Sequence, residues 1–147
     1  MTNAWLESLT FDECIARLQE QQVGRIAVVS DEFPLVLPVN YRLVAMPGKN
    51  WIAIRTRPGN VIERAGVHVA FEIDNIDPER RGGWSVVVRG TLHHVDEEAA
   101  DFRTRFDPDP WIVRERDAWM VIEAFQITGR RLRHPGAEWG FELPPEV

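Results

Sequence analysis

The sequence predicts a mainly β fold with short helices: a six-stranded antiparallel barrel in one domain that spans residues 1–147. A chain of 147 residues matches the usual size of a single hydrophobic core. Six runs rich in β-branched and aromatic residues are predicted as strands, and short turns connect the first three, which is typical of consecutive antiparallel strands. The sequence contains no internal repeat and no linker-like stretch that would divide it.

The first two predicted strands carry apolar residues on both faces. An antiparallel strand with one face in water alternates more cleanly, so we expect a barrel interior on one side and a further layer, such as a second subunit, on the other. Pro38 within the second strand cannot donate to a ladder and indicates a sheet edge or a bulge. A polar turn is expected at residues 31–34. The strands are placed at residues 23–29, 35–45, 51–56, 67–74, 84–95 and 118–128.

Three short helices are expected beside the strands. The first begins after Thr10, which lies at capping-box spacing from Glu13. The second is a short stretch at residues 60–65, just after a Pro-Gly turn. The third, at residues 96–106, has acidic residues early and Arg residues late, the order that the helix dipole favours. The apolar side of the first helix is formed by Phe11, Ile15 and Leu18.

The composition and net charge limit the classes of function that we expect for this chain. The formal net charge of -6 argues against generic binding to nucleic acid or to an anionic membrane surface. Cys14 is the single cysteine, which excludes an intramolecular disulfide and fits a reducing compartment. Residues 1–9 lack the pattern of a secretory signal, and no apolar run approaches a membrane-spanning length. We therefore expect a cytoplasmic protein.

Several kinds of catalytic site find no support in the sequence. His93 and His94 are adjacent on a predicted strand and point to opposite faces, so they cannot chelate one metal ion together. Cys14 lies on an amphipathic helix, where a buried inert thiol is expected. Glu72 and Asp74 share one strand face; a paired acid-base role is conceivable, but a solvated or salt-bridged pair is the favoured interpretation.

The run Arg55-Thr56-Arg57-Pro58-Gly59-Asn60 offers two guanidinium groups, a hydroxyl and a flexible turn. Guanidinium groups bind phosphate in bidentate fashion, and the amides of a following helix would add a favourable dipole. Such basic turns are also commonly just solvated. The six Trp residues leave two readings open as well, since they can line a pocket or a subunit interface or simply fill a barrel.

Six stretches covering most of residues 10–132 carry a resemblance to a known family. They are residues 23–27, 34–41, 54–56 with 58–59, 69–74, 83–90 and 127–131. In this order they resemble the split-barrel flavin-binding family related to pyridoxamine 5'-phosphate oxidase, and more closely its nitroimidazole-resistance-like branch. The resemblance implies an FMN-binding split barrel that forms a homodimer with two flavin sites, each shared between subunits.

The resemblance also implies roles for particular residues. Residues 55–56 match the strand end that binds the cofactor phosphate, and residues 38–41 match the strand along the isoalloxazine ring, where backbone amides near residues 40 and 41 would meet its polar edge. Residues 84–85 match the strand start that approaches the ring, and residue 111 matches a Trp that the branch places near the site. The implied cofactor-binding residues are Pro38, Val39, Asn40, Tyr41, Arg55, Thr56, Arg57, Asn60, Trp84, Ser85 and Trp111.

The sequence departs from this family at Asn60, where a Lys commonly meets the cofactor phosphate. A phosphate carries about -1.5 to -2 charge, and a charge-assisted hydrogen bond contributes about 1.5–3 kcal/mol. The change is therefore expected to weaken binding by one to two orders of magnitude. Arg57, which stands where the family often has a small residue, is a candidate for the missing charge.

The resemblance implies a flavin-dependent oxidoreductase that uses FMN on a small planar substrate, with no residue identified as a proton donor. Two alternatives remain: a deazaflavin-dependent reductase of the same fold, and a binding protein that holds flavin or haem without turnover. Pyridoxamine 5'-phosphate oxidase activity itself is not expected, because the chain is short and lacks a clearly basic C-terminal stretch. The nearest candidates for that stretch, Arg130, Arg131 and Arg133, are equally suited to protecting a strand end.

Overall fold

The strands of the chain pair into one antiparallel sheet that curls around a core without closing. The computed structural model describes residues 5–96, 99–112 and 118–133. Within these ranges there are eight strands and two helices. They are β1 (Trp5–Ser8), α1 (Phe11–Glu20), β2 (Val23–Ser30), β3 (Phe33–Asn40), β4 (Arg42–Met46), β5 (Lys49–Thr56), β6 (His68–Asp77), β7 (Gly82–His94), α2 (Ala100–Arg105) and β8 (Ala118–Arg133).

The strand order is β3-β2-β6-β7-β8-β5-β4, with β1 paired to the far end of β8. The strands β3 and β4 are therefore the two edges of an open barrel. This confirms the predicted mainly β, split-barrel architecture and the placement of Pro38 on an edge strand. The number of strands was wrong, because the sheet has eight rather than six.

One additional strand arises where a single strand was predicted over residues 35–45. The ladder breaks at Tyr41, whose backbone N–H donates to the Gln22 carbonyl at 3.1 Å. The Tyr41 ring is buried, and its hydroxyl donates to the Leu18 carbonyl at 2.8 Å. That carbonyl is one of the last four of α1, which have no partner within the helix. The predicted turn at 31–34 is also shorter, because β3 already begins at Phe33.

The other additional strand is β1, which the sequence analysis missed. It has only four residues, too few for a clear alternation, and it pairs with residues 130–133 at the distant end of the chain. Arg131 of β8 stabilises the packing of β1 and α1, because its guanidinium lies 3.4 Å from a Glu7 oxygen and 2.9 Å from a Glu13 oxygen. Long-range pairing and ion pairs, which local pattern does not reveal, therefore define β1.

Of the three predicted helices, only the first is confirmed near its full length. Thr10 and Glu13 form the predicted reciprocal capping box. The helix expected at residues 60–65 is wrong: that segment forms turns, and the Asn60 side chain accepts from the Ile62 amide at 3.1 Å. Such local side-chain bonds compete with helix formation. The third helix is confined to Ala100–Arg105.

The core lies between α1 and the inner face of the sheet, where β2, β6, β7 and β8 bury their alternate residues. Gly24 is required here, because a Cβ at that position would lie 2.2 Å from a Phe71 ring carbon. On β3, by contrast, Phe33 and Val36 are 74% and 58% exposed. The expectation that this strand is covered on both faces is therefore not met within one chain.

The uncovered face of β3, β2 and β6 continues across β7 to β8. It contains a shallow apolar depression of about 600 Å³, which we call the outer groove. Its lining comes from five neighbouring strands and includes Ala27, Val29, Pro34, Ala70 and Phe125. Val29 and Phe125 are exposed.

A carboxyl pair lies next to the outer groove on β6. The Glu72 and Asp74 side chains lie 3.7 Å and 3.6 Å from the guanidinium of Arg25 on β2, which confirms the salt-bridged interpretation. Burial, and secondarily the neighbouring Asp74 carboxyl, raise the pKa of Glu72 to about 7 despite the opposing effect of Arg25. In the folded chain Glu72 therefore keeps its proton to a higher pH than an ordinary glutamate does.

This pKa predicts that the wild-type free energy of unfolding falls as pH rises from about 4.5 to 7. In that window the folded chain holds the Glu72 proton while the unfolded chain, with the ordinary pKa of 4.5, has released it. Glu72→Gln removes this contribution. We expect urea midpoints at pH 5 and pH 8 to differ less in E72Q than in wild type. Glu79→Gln, at an exposed turn position, is the control, and parallel pH profiles of wild type and E72Q would contradict the assignment.

Candidate functional site

Arg55, near the end of β5, is the centre of a charged cluster. Its Nη1 lies 3.1 Å and 3.2 Å from the two carboxylate oxygens of Asp107. Its guanidinium carbon is 5.0 Å from the centre of the Trp119 indole, on the strand that pairs with β5. The side chain is only 17% exposed. Arg55 is thus held by a carboxylate and an aromatic surface in a partly desolvated position.

A second guanidinium, that of Arg103 on α2, lies 5.6 Å from the same indole. Its Nε is buried and has no hydrogen-bond partner among the residues that the structure describes. A buried donor without a partner is unfavourable, and such groups commonly mark a site that receives an acceptor. Arg55 and Arg103 thus bring two guanidinium groups to Trp119, and Arg55 is paired with Asp107. The cluster is therefore suited to bind an anion.

The turn that follows Arg55 differs from the predicted phosphate cradle. Thr56 is 5% exposed, and Arg57 is exposed to solvent. The Gly59 amide donates to a Glu63 carboxylate oxygen at 2.8 Å, so a group of this chain already occupies it. Asn60 is used within the turn, as described above. Because no helix follows, the predicted contribution of a helix dipole to phosphate binding is wrong.

The candidate ring-binding segment meets this cluster from the other side. The Asn40 side-chain oxygen accepts from the Trp111 amide at 2.9 Å, and Trp111 is 69% exposed. A mainly polar groove of about 480 Å³ lies nearby, lined by Leu18, Gln19, Gln21 and Gln22 at the end of α1, by residues 41–43 and by residues 107–109. Asp107 thus belongs both to this groove and to the Arg55 cluster. The structure brings Asn40, Tyr41, Arg55 and Trp111 into one region.

Tyr41 is unsuited to acid-base chemistry at this site. Burial raises the pKa of its phenol well above the usual range, and its hydroxyl and backbone N–H are both engaged in hydrogen bonds within the fold. The expectation that its amide is available to a ring is therefore not met. Of the other two residues of the segment, Pro38 is exposed and Val39 is half-buried on the β3 edge.

Trp84 and Ser85 are not part of this region in a single chain. They lie at the start of β7, opposite Arg131 and Arg130 of β8, whereas the Arg55 cluster is near the other end of β7. Ten residues of strand separate Trp84 from His94, which corresponds to about 30 Å. Trp84 is 3% exposed, with the Arg17 guanidinium 4.8 Å from its ring centre.

Sequence reasoning missed four residues that shape the site. Arg103 was interpreted through the helix dipole alone, and Asp107 as part of a Pro-containing helix stop. Glu63 was placed inside a helix that does not form, and Trp119 was treated as a strand residue. Their only sequence signal is polarity next to predicted strand ends, because their proximity to Arg55 and Gly59 depends on the folded sheet.

In the parts of the chain that the structure describes, no group of three or more His, Cys, Asp or Glu side chains comes together in a way that would hold a metal ion. In the same ranges, no helix has the length and apolar character needed to cross a membrane.

Comparison with known proteins agrees with this architecture. A family model described as pyridoxamine 5'-phosphate oxidase matches residues 10–131. The uncharacterized protein Rv0080 of Mycobacterium tuberculosis is 32% identical over 129 residues, which are 82% of each chain.

Two solved structures share the fold over most of the chain. An FAD binding protein from Mycobacterium smegmatis is 30% identical with a TM-score of 0.63, over 88% of this chain and 100% of that one. A conserved protein of unknown function from Corynebacterium diphtheriae is 26% identical with a TM-score of 0.72, over 85% and 96% of the two chains. With its matching family model and its split-barrel sheet, the chain belongs to the pyridoxamine 5'-phosphate oxidase family.

Proposed function

We propose that this protein binds FMN and acts as a flavin-dependent oxidoreductase on a small planar substrate. The observation that carries the proposal is the cluster in which Arg55 and Arg103 share Trp119 beside the groove at residues 107–109. Partly desolvated guanidinium groups are effective ligands for a phosphate, and the adjoining groove of about 480 Å³ falls in the range of ligand pockets. The family of the chain makes a flavin the natural ligand for such a site.

The described residues fit a flavin nucleotide in two respects. Arg55 and Arg103 supply cations, and the Nε of Arg103 lacks an acceptor that a phosphate oxygen would provide. Asn40 and Trp111 are joined by a hydrogen bond and stand in the chain beside Tyr41 and the 107–109 segment, which line the groove. When bound, the flavin supplies the redox chemistry, while this chain binds and orients it. The engaged Tyr41 hydroxyl supports a site without a tyrosine proton donor.

The proposal includes a homodimer in which each flavin site is shared between subunits. Trp84 and Ser85 lie about 30 Å of strand away from the Arg55 cluster, so a site that contains both sets draws one of them from a second chain. The outer groove supports this association, because it leaves Val29 and Phe125 58% and 85% exposed. Exposed apolar patches of this kind commonly mark protein interfaces.

Pyridoxamine 5'-phosphate oxidation itself is not proposed. Arg131, one of the cations considered for a second phosphate, is 11% exposed and is paired with Glu7 and Glu13. It stabilises the packing of β1 and α1 against β8.

The direct test is a titration of purified protein with FMN, riboflavin and FAD, followed by flavin fluorescence. We expect FMN to bind more tightly than riboflavin, because only FMN places a phosphate at Arg55 and Arg103. Arg55→Gln should remove most of this difference. Tighter binding of FAD than of FMN would move the assignment toward the cofactor of the Mycobacterium smegmatis neighbour. Failure to bind any flavin or deazaflavin would refute the proposal.

Asn60 provides an independent test of the phosphate position. Asn60→Lys restores the cation that relatives commonly carry and should tighten FMN binding by about 10- to 100-fold, the equivalent of one charge-assisted hydrogen bond. Asn60→Met matches the length of the new side chain without its charge and should not tighten binding. Riboflavin affinity should be the same in both variants. Equal FMN affinities for N60K and N60M would place the phosphate elsewhere.

The dimer is tested at the outer groove. Val29→Glu introduces a charge at a 58% exposed position, so folding is expected to persist while association is weakened. Met46→Glu is the control, because Met46 is 50% exposed at the β4–β5 hairpin on the other edge of the sheet. Sedimentation velocity should show a dimer for wild type and M46E, and a shift toward monomer with weaker FMN binding for V29E. A monomeric wild type would contradict the shared site.

A further inference from the structure

We propose that Asp107 determines the anion selectivity of this site by competing with the ligand's phosphate for Arg55. The inference rests on the proposed function, since it takes a phosphate-bearing flavin as the ligand. In the free protein the Asp107 carboxylate pairs with Arg55. When a dianion binds, it displaces this carboxylate from Arg55.

The geometry of the pair carries the argument. Both Asp107 oxygens lie within hydrogen-bond distance of Arg55 Nη1, in the place that a phosphate oxygen would take. Because Arg55 is 17% exposed and its guanidinium also faces Trp119, little of it remains open to a second anion. A ligand phosphate therefore has to replace the Asp107 carboxylate rather than join it.

Glu63 repeats this arrangement at the following turn. Its Oε1 accepts from the Gly59 amide, and its Oε2 lies 3.6 Å from His94 Nε2. Carboxylates of this chain thus already bind both groups that the sequence predicts for phosphate. Asp107 binds the Arg55 guanidinium, and Glu63 binds the Gly59 amide. Two carboxylates near a phosphate of about -1.5 to -2 charge oppose its binding unless they move away.

Displacement of Asp107 has a structural consequence. Asp107 Oδ1 also accepts from the Asp109 amide at 2.9 Å, and the Trp111 amide two residues further on is held by Asn40. Movement of the Asp107 side chain therefore perturbs residues 107–111, of which 107–109 line the groove. Phosphate occupancy at Arg55 and the position of Trp111 are coupled through this short segment.

The selectivity that follows depends on charge. A dianion gains more from the two arginines than the Asp107 monoanion it replaces, whereas a ligand without phosphate gains nothing from Arg55 and leaves the pair intact. Removing the Asp107 charge should thus improve binding of FMN and leave binding of riboflavin unchanged. If Asp107 instead acted to position Arg55 for the ligand, the same substitution would weaken FMN binding.

The test uses Asp107→Asn, which keeps an acceptor for the Asp109 amide while it removes the charge. Asp101→Asn is the control: the residue is exposed, lies on the neighbouring helix α2, and does not line the groove. We expect D107N to tighten FMN binding by about tenfold or more, with riboflavin unchanged, and D101N to shift FMN binding by less than about threefold. Circular dichroism and urea midpoints check that both variants fold.

A second measurement uses inorganic phosphate as the probe, so that it does not depend on flavin binding. The Gly59 amide and Arg55 Nε signals are followed by NMR in wild type, D107N, D101N and Glu63→Gln. Tighter phosphate binding by D107N and E63Q than by D101N supports the proposal. Unchanged or weaker phosphate and FMN binding by D107N overturns it. If no variant binds a flavin, the proposed function fails while the phosphate titration still decides the role of Asp107.

Discussion

The hydrogen bond from the buried Tyr41 hydroxyl to the Leu18 carbonyl fixes the geometry on which the site depends. It ties the end of α1 to the point where β3 gives way to β4, and edge-to-face packing on Phe71 secures the ring from the core side. The backbone therefore leaves the β2 ladder at Tyr41 and joins β5 from Arg42 onward. The opening between the two sheet edges lies at this transfer, with Asn40 at its rim.

The charges around that opening are largely balanced within the chain. Arg55 faces Asp107, and the Gly59 amide faces Glu63. The proposed anion site is therefore compatible with a chain whose net charge is -6. The Nε of Arg103 is one of the buried polar atoms that have no hydrogen-bond partner among the described residues. Affinity for an anion then depends on which carboxylates can be displaced, rather than on how many arginines are nearby.

The local sequence pattern predicted correctly those features that depend on residues close together in the chain. The capping box of Thr10 and Glu13, the edge position of Pro38 and the alternation along β6 and β7 follow from hydrogen-bonding capacity and from the two-residue period of strands. The Tyr41 break was missed because the residues around it remain β-forming, and only the distant Leu18 carbonyl makes the break favourable. Strand β1 was missed for the same reason, since its partners are more than a hundred residues away.

The candidate site was predictable only as a set of residue types. Arg55, Asn40 and Trp111 were identified through the family resemblance, and the fold brings them into one region. The resemblance could not reveal that Asp107 binds Arg55, because that contact depends on where α2 and residues 106–112 pack against β5. The sequence therefore indicated which groups can attract a phosphate, and the structure adds the groups that compete with it.

The length of β7 connects the site to the assembly. Its 13 residues run from Trp84, near the β1 end of β8, to His94, beside Glu63 and the turn after Arg55. No bending of one sheet strand brings these two ends together, since a paired strand is nearly fully extended. A flavin that touches both sets of residues must lie where the end of one β7 approaches the beginning of another. In the proposed homodimer, the exposed outer groove would supply the contact between subunits, and the polar groove at residues 107–109 would supply one half of each flavin site.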